Sequence, residues 1–378
     1  MTTITPRMKG LRDMHENATA ATPQRRDRII GLDIIKALAI MEVLALHTGL
    51  WCTDFISSGS LARVVQYAMR LASEGVPLFV MVNGFLLLGK SRFNGHKHLM
   101  KTLHLCMILV VWMTILTIAG AALHGEPLTI RAFAECILTT SISNRYTGVL
   151  WFLQGLIAVY LIYPVLKYLY ENNYRLYLYL SVVFTVFSIG LNAMALIRDA
   201  LAIFTDATPI DELIGFARTL DPTGNAYYVY CFMLGGAIYH WQDKLREYRR
   251  QLVAAGVASW ALVTVIGIAL SFSAGVTYTE SFNYGSPFMT LMMLGLMAAC
   301  LPNESISSTP CVLIEGLGSC TMGIYLIHRI IVWAIVAMGG WPLHGLPGRL
   351  AEWACVLLVS WGLTYLAKEI PCIRQFFE

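Results

Sequence analysis

Lys36 and His47 stand eleven residues apart in an apolar stretch that opens near Ile29. On a helix that is about three turns, nearly a whole number of rotations at roughly 100° per residue, so both side chains leave the same face. Asp33 lies only about 40° away on that face. A neutral imidazole takes a proton from a hydroxyl near physiological pH. A lysine ammonium holds an anion, and Asp33, three positions before Lys36, can pair with it or hold it in place. Three ionisable groups on one face of an apolar helix are costly in lipid and mark a protein interior or a wet cavity. Glu42 is in the same stretch but about 140° from His47, so it does not share the face.

The elements that must position these groups follow from composition. Apolar residues make up 57% of the chain and charged residues 13%, about half the charge of a soluble domain. The apolar residues fall into stretches at roughly 29–50, 70–89, 101–122, 149–168, 177–197, 226–241, 251–271, 285–301, 317–338 and 351–367. Most are long enough to cross about 30 Å of hydrocarbon as a helix. The expected fold is therefore all-α, a polytopic membrane helix bundle of about ten transmembrane helices. Residues 29–367 form its membrane domain, between a basic cytoplasmic tail at 1–28 and a second cytoplasmic tail at 368–378. Residues 1–28 end in Gln24-Arg25-Arg26-Asp27-Arg28 without a secretory signal pattern, and read as a pre-anchor rather than a nucleic-acid arm.

Basic residues orient the bundle. With both termini in the cytoplasm, inside loops hold Lys90, Arg92, Lys97, Lys101, Lys167, Arg175, Lys244, Arg246, Arg249 and Arg250. Fewer fall outside: Arg63, Arg70, Arg131, Arg145, Arg198, Arg218 and Arg349. That asymmetry suits a multi-pass protein of a bacterial inner membrane. The acidic loop from about 198 to 225 reads as an ordered outer rim. The nine cysteines are spaced for neither a disulfide framework nor a zinc cluster. They read as core packing, with a bridge through Cys52 and Cys136 left open. No phosphate-binding glycine-rich loop and no clear internal repeat are present.

Four segments together carry a resemblance. Gly31-Leu32-Asp33-Ile34-Ile35-Lys36 through Leu46-His47 resembles the opening of the membrane acyltransferase-3 family, with its Arg or Lys, ten intervening residues and His. Gly75-Val76-Pro77-Leu78-Phe79-Val80-Met81-Val82-Asn83-Gly84-Phe85 is similar to the family's second-span signature, with Asn83 where Ser is usual. Leu150-Trp151-Phe152-Leu153, with Tyr160 and Pro164, resembles its LWFL span, and Tyr325-Leu326-Ile327-His328 its late YLIH span. Arg329 stands where Pro is common. The resemblance runs from about 29 to 367. It implies transfer of an acyl group, often acetyl, from acyl-CoA to a hydroxyl of a cell-envelope glycan or lipid-linked sugar.

On that reading His47 is the general base, and a covalent acyl-His47 intermediate is the less favoured variant. Lys36, braced by Asp33, meets the phosphates of CoA arriving from the cytoplasm. Arg92, Lys97 and Lys101 either neutralise its 3′-phosphate and pyrophosphate or serve only as positive-inside anchors. Glu74, at the level of His47, either fixes the imidazole tautomer or is a solvated carboxylate. Asn83 is an oxyanion donor. Trp151 and Tyr325 line the acceptor cavity or belong to an interfacial aromatic belt. Arg145 binds an anionic acceptor or sits at a wet edge. His328 lines a tunnel or is a core histidine, and Arg329 needs a carboxylate, a cavity or a polar substrate, with Asn83 and Glu42 as candidate partners.

The expected mechanism is direct transfer. Acyl-CoA, the donor and only cofactor, extends its thioester up a tunnel to His47, and the acceptor hydroxyl arrives from the outer side. No metal and no nucleic acid are expected. Partners are the two substrates and membrane lipids, with the protein a monomer or homodimer. The rival readings are a transporter or flippase for a glycan or lipid intermediate, and a non-catalytic membrane sensor.

Overall fold

The computed structural model describes residues 29–51, 54–73, 75–138, 144–202, 204–205, 208–220, 227–279, 285–301 and 312–377, with no strand among them. The helices are α1 (Ile30–His47), α2 (Leu61–Leu71), α3 (Gly75–Leu88), α4 (Gly95–His124), α5 (Ile130–Leu138), α6 (Trp151–Asn172), α7 (Tyr174–Thr185) and α8 (Leu191–Leu201). They continue as α9 (Thr208–Thr219), α10 (Tyr227–His240), α11 (Gln242–Glu247), α12 (Arg249–Ala274), α13 (Pro287–Cys300), α14 (Val312–Ala337), α15 (Gly345–Glu369) and α16 (Pro371–Arg374).

Local chemistry sets the ends. Asn94 caps α4 by accepting the Lys97 N–H at 2.9 Å, and Gly125 closes it at φ 68°. α1 stops where the Thr48 hydroxyl donates back to the Leu44 carbonyl at 2.9 Å and Gly49 turns the chain at φ 68°. A π segment, Val186–Gly190, joins α7 to α8 in one continuous rod. Lys167 on α6 is buried and clamps the end of α3, donating to the Leu88 carbonyl at 2.6 Å while pairing with Glu171 at 2.9 Å.

Among the described residues seven helical stretches are long and apolar enough to cross a membrane: Leu61–Leu88, Gly95–His124, Gly148–Asn172, Tyr174–Leu201, Arg249–Ala274, Leu313–Ala337 and Gly345–Glu369. The protein is thus a multi-pass membrane helix bundle, but the count is seven rather than the ten expected. The other three stretches are helices of a different kind. α10 and α13 have 14 residues each, about 21 Å of rise. α1 carries Asp33, Lys36 and Glu42 and packs between α3 and α14, with Asp33 buried and Lys36 and Glu42 half-buried.

Small residues let the central helices touch. A Cβ on Gly84 would lie 1.9 Å from the Phe232 carbonyl oxygen, and one on Gly235 would lie 2.0 Å from that of Met81. α3 and α10 therefore meet backbone to backbone. Around them one core runs through α1, α3, α4, α6, α10, α13 and α14. After α15 the chain folds back: the Trp112 indole donates to the Phe376 carbonyl at 2.9 Å, and Phe377 is buried edge-on against that indole. Phe376 and Phe377 thus pack against α4, while residues 369–375 are exposed. The outer rim expected at 198–225 is helical at α9, tied down by Arg198 to Asp211 at 3.0 Å. Residues 1–28 and Cys52 lie outside the described residues, and nothing is described of the Cys136 side chain.

Candidate active site

α1 carries Lys36 in its second turn and His47 at its last position, and each opens onto a separate cavity. The His47 cavity holds about 570 Å³ and is lined by Val43, Leu46, His47, Gly49, Trp51, Asp54, Arg63, Arg70, Val76, Val149, Trp151, Phe152 and Tyr325. That volume suits a small-molecule substrate. Hydrogen bonds from the Ser57 hydroxyl and N–H hold the Asp54 carboxyl below its ordinary range, so a carboxylate faces the two arginines across this mouth. The Lys36 cavity is narrower, about 180 Å³, and combines Lys36, Lys101, His104 and Asn83 with Phe79, Val82, Leu105, Phe152, Leu156, Tyr160, Thr321, Met322 and Tyr325. Cations at one side and an apolar bore suit a slim chain with an anionic head.

Phe152 and Tyr325 line both cavities and form the partition between them. Their rings meet edge to face at 5.3 Å, and the Tyr325 hydroxyl is anchored on the Val149 carbonyl at 2.6 Å. The single tunnel expected is thus two chambers with an aromatic septum. Beside the septum His328 is fully buried, its ring centroid 5.0 Å from that of His47. A further surface cavity of about 580 Å³ adjoins the His47 mouth through the shared Arg63, with Gln66, Trp341, His344, Arg349 and Glu352 on its walls.

A family model described as an acyltransferase domain matches residues 29–368. The chain belongs to the acyltransferase-3 family. No curated protein and no solved structure matches it.

In this acyltransferase the residues expected to act together are partly gathered. Asn83 lines the Lys36 cavity rather than the His47 cavity. Its amide donates to the Phe79 carbonyl at 2.9 Å and its oxygen lies 3.5 Å from the Tyr160 hydroxyl. Asp33 is buried and accepts from Lys36 at 3.3 Å. Lys101 lies over the Tyr160 ring at 5.4 Å. Arg92 and Lys97 are exposed and line neither cavity. Trp151 lines the His47 cavity, its ring 5.8 Å from Tyr228. Arg145 is drawn away, ion-paired with Glu126 and stacked at 5.6 Å over Tyr146. Arg329 sits over the Trp333 ring at 5.5 Å, while Glu42 faces a separate apolar groove with Trp260. Glu74 lies outside the described residues.

Sequence reasoning missed His104, Arg70 and Asp54. His104 had a signal, since it follows Lys101 by three positions and so shares its helical face. Arg63 and Arg70 read only as topology markers, because nothing local shows that α2 returns over the end of α1. Among the described residues no group of three or more His, Cys, Asp or Glu could hold a metal ion.

Proposed function

We propose that the protein transfers an acyl group, acetyl in the simplest case, from acyl-CoA to a hydroxyl of a cell-envelope glycan or lipid-linked sugar in a bacterial inner membrane. The observation that carries this reading is the pair of cavities meeting at the Phe152–Tyr325 septum, one with an imidazole and the other with three basic side chains. Lys101, at the end of the basic segment 90–101, lines the Lys36 cavity, which supports a cytoplasmic Lys36 side and an outward His47 side. About 180 Å³ is too small for a whole nucleotide-bearing cofactor. The pantetheine arm therefore occupies the bore, and the nucleotide stays at the surface near Lys36, Lys101 and His104.

The chemistry is direct. The acceptor hydroxyl enters the His47 cavity, His47 takes its proton, and the oxygen attacks the thioester carbonyl at the septum. The C–O bond forms in that attack and leaves a tetrahedral oxyanion; as the oxyanion collapses the C–S bond breaks, and the proton passes from His47 to the CoA sulfur. Asn83 keeps one amide N–H beyond its bond to Phe79, and that donor polarises the thioester carbonyl from below. The septum must swing for the arm to reach His47, and the Tyr325–Val149 bond is the contact that yields.

The test is radiolabelled acetyl-CoA given to the full chain in nanodiscs with a panel of envelope glycans and lipid-linked sugars. Label should appear in ester linkage with the wild type and fall to background with His47→Ala. Equal transfer by both proteins would sink the reading.

A further inference from the structure

His47 needs a partner to fix which ring nitrogen is bare, and the structure offers one on α14. The Nδ1 of His328 lies 2.6 Å from the Tyr325 carbonyl oxygen and 3.3 Å from that of Ile324. Carbonyl oxygens only accept, so Nδ1 carries the proton and Nε2 carries a lone pair. That Nε2 is buried and has no hydrogen-bond partner among the described residues. A buried acceptor left bare is unusual in a folded protein and calls for an explanation. The neighbouring polar ring is His47, at 5.0 Å between centroids and tilted by 43°. Two imidazoles joined by an N–H···N bond have nitrogens about 2.9 Å apart and centroids about 5 Å apart. The observed separation therefore needs ring rotation, not approach. Arg329, the next residue on α14, lies over the Trp333 ring instead.

We propose that His328 is the positioning residue for His47: its Nε2 accepts a hydrogen bond from one His47 N–H, which leaves the other His47 nitrogen bare toward the acceptor hydroxyl. This rests on the reading of His47 as general base. His328 cannot itself be driven into the opposite tautomer without breaking its bond to Tyr325, so it holds His47 in one tautomer throughout turnover. When His47 receives the hydroxyl proton, the same bond accepts from the imidazolium and stabilises it. The proton then leaves for the CoA sulfur from the cavity-facing nitrogen, and His328 exchanges none. Because Tyr325 supplies both the septum ring and the carbonyl that locks His328, movement of the septum and orientation of the base are carried by neighbouring turns of one helix.

Two variants separate this role from simple packing. Asn at 328 keeps a donor near Nδ1 but has nothing at Nε2, whereas Gln reaches the Nε2 position with an amide that can accept. With acetyl-CoA and the best acceptor from the panel above, His328→Asn should lower kcat by about 10–100-fold with KM for acetyl-CoA unchanged. His328→Gln should recover most of that loss. Ring nitrogen NMR of ¹⁵N-histidine protein, with His47 assigned by its absence in His47→Ala, should show one His47 tautomer in the wild type and a mixture in His328→Asn. An unchanged kcat in His328→Asn, equal losses in the Asn and Gln variants, or one and the same His47 spectrum with and without His328 would overturn the proposal. A His47→Ala protein that is dead beside a fully active His328→Asn removes this inference alone. A fully active His47→Ala protein removes the general-base reading and this inference with it.

Discussion

Lys36 and Lys101 approach one narrow bore from different helices, while Arg92 and Lys97 remain in solvent. Replacing either inner lysine by Met should raise KM for acetyl-CoA about tenfold, roughly 1.4 kcal/mol, with a smaller effect on kcat. Initial rates over a range of acetyl-CoA concentrations test this. Arg92→Ala and Lys97→Ala should change KM by less than about threefold, and the change should fade as salt is added, because exposed charges are screened. At this scale the sequence was most readable where chemistry is local. The spacing of Lys36 and His47 and the pairing of Asp33 are properties of one helix. The nearness of His328 to His47 joins residues almost three hundred positions apart, and no periodicity encodes it. Phe152 was quoted within its motif, yet a Phe in an apolar span reads as packing until the two voids on either side of it are seen.

Helix contacts decide how much of this geometry survives mutation. A Cβ added at Gly84 would strike the Phe232 backbone, whereas at Gly362 nothing lies within 4 Å. Gly84→Ala should therefore destabilise the bundle by about 1–3 kcal/mol through overpacking, and Gly362→Ala should leave stability unchanged or slightly raised. Thermal unfolding in one detergent compares them directly. Lys167→Met should also destabilise, by about 1–3 kcal/mol, because the carbonyl of Leu88 loses a buried donor. The helical elements themselves were legible as apolar stretches. Their count was not, since hydropathy treats interior helices and lipid-facing helices alike. α10 is buried over most of its length and needs only 14 residues to fill the space between α3 and its neighbours.

Across the whole molecule, the His47 end is bordered by polar contacts that respond to acid. A hydrogen bond from Tyr146, and after it the Arg145 guanidinium, hold Glu126 below its ordinary value of 4.5. A depressed folded-state pKa stabilises the fold above the unfolded value, and that contribution fades as pH falls below about 4.5. The wild type should lose more melting temperature than Glu126→Gln between about pH 7 and pH 3. Identical acid limbs would show that this rim contributes nothing. Such a rim, like the fold-back of Phe377 onto Trp112, joins segments that the sequence presents as unrelated loops and tails.

A bilayer protein that admits one substrate from each side risks becoming a leak. On the proposed two-sided entry, the edge-to-face closure of Phe152 on Tyr325 is what would keep protons and small ions from following the thioester arm, so liposomes carrying the wild type should hold a proton gradient that Phe152→Gly liposomes lose. On that proposal the septum that delays the reaction by one swing of a ring would also keep the membrane an electrical insulator between turnovers.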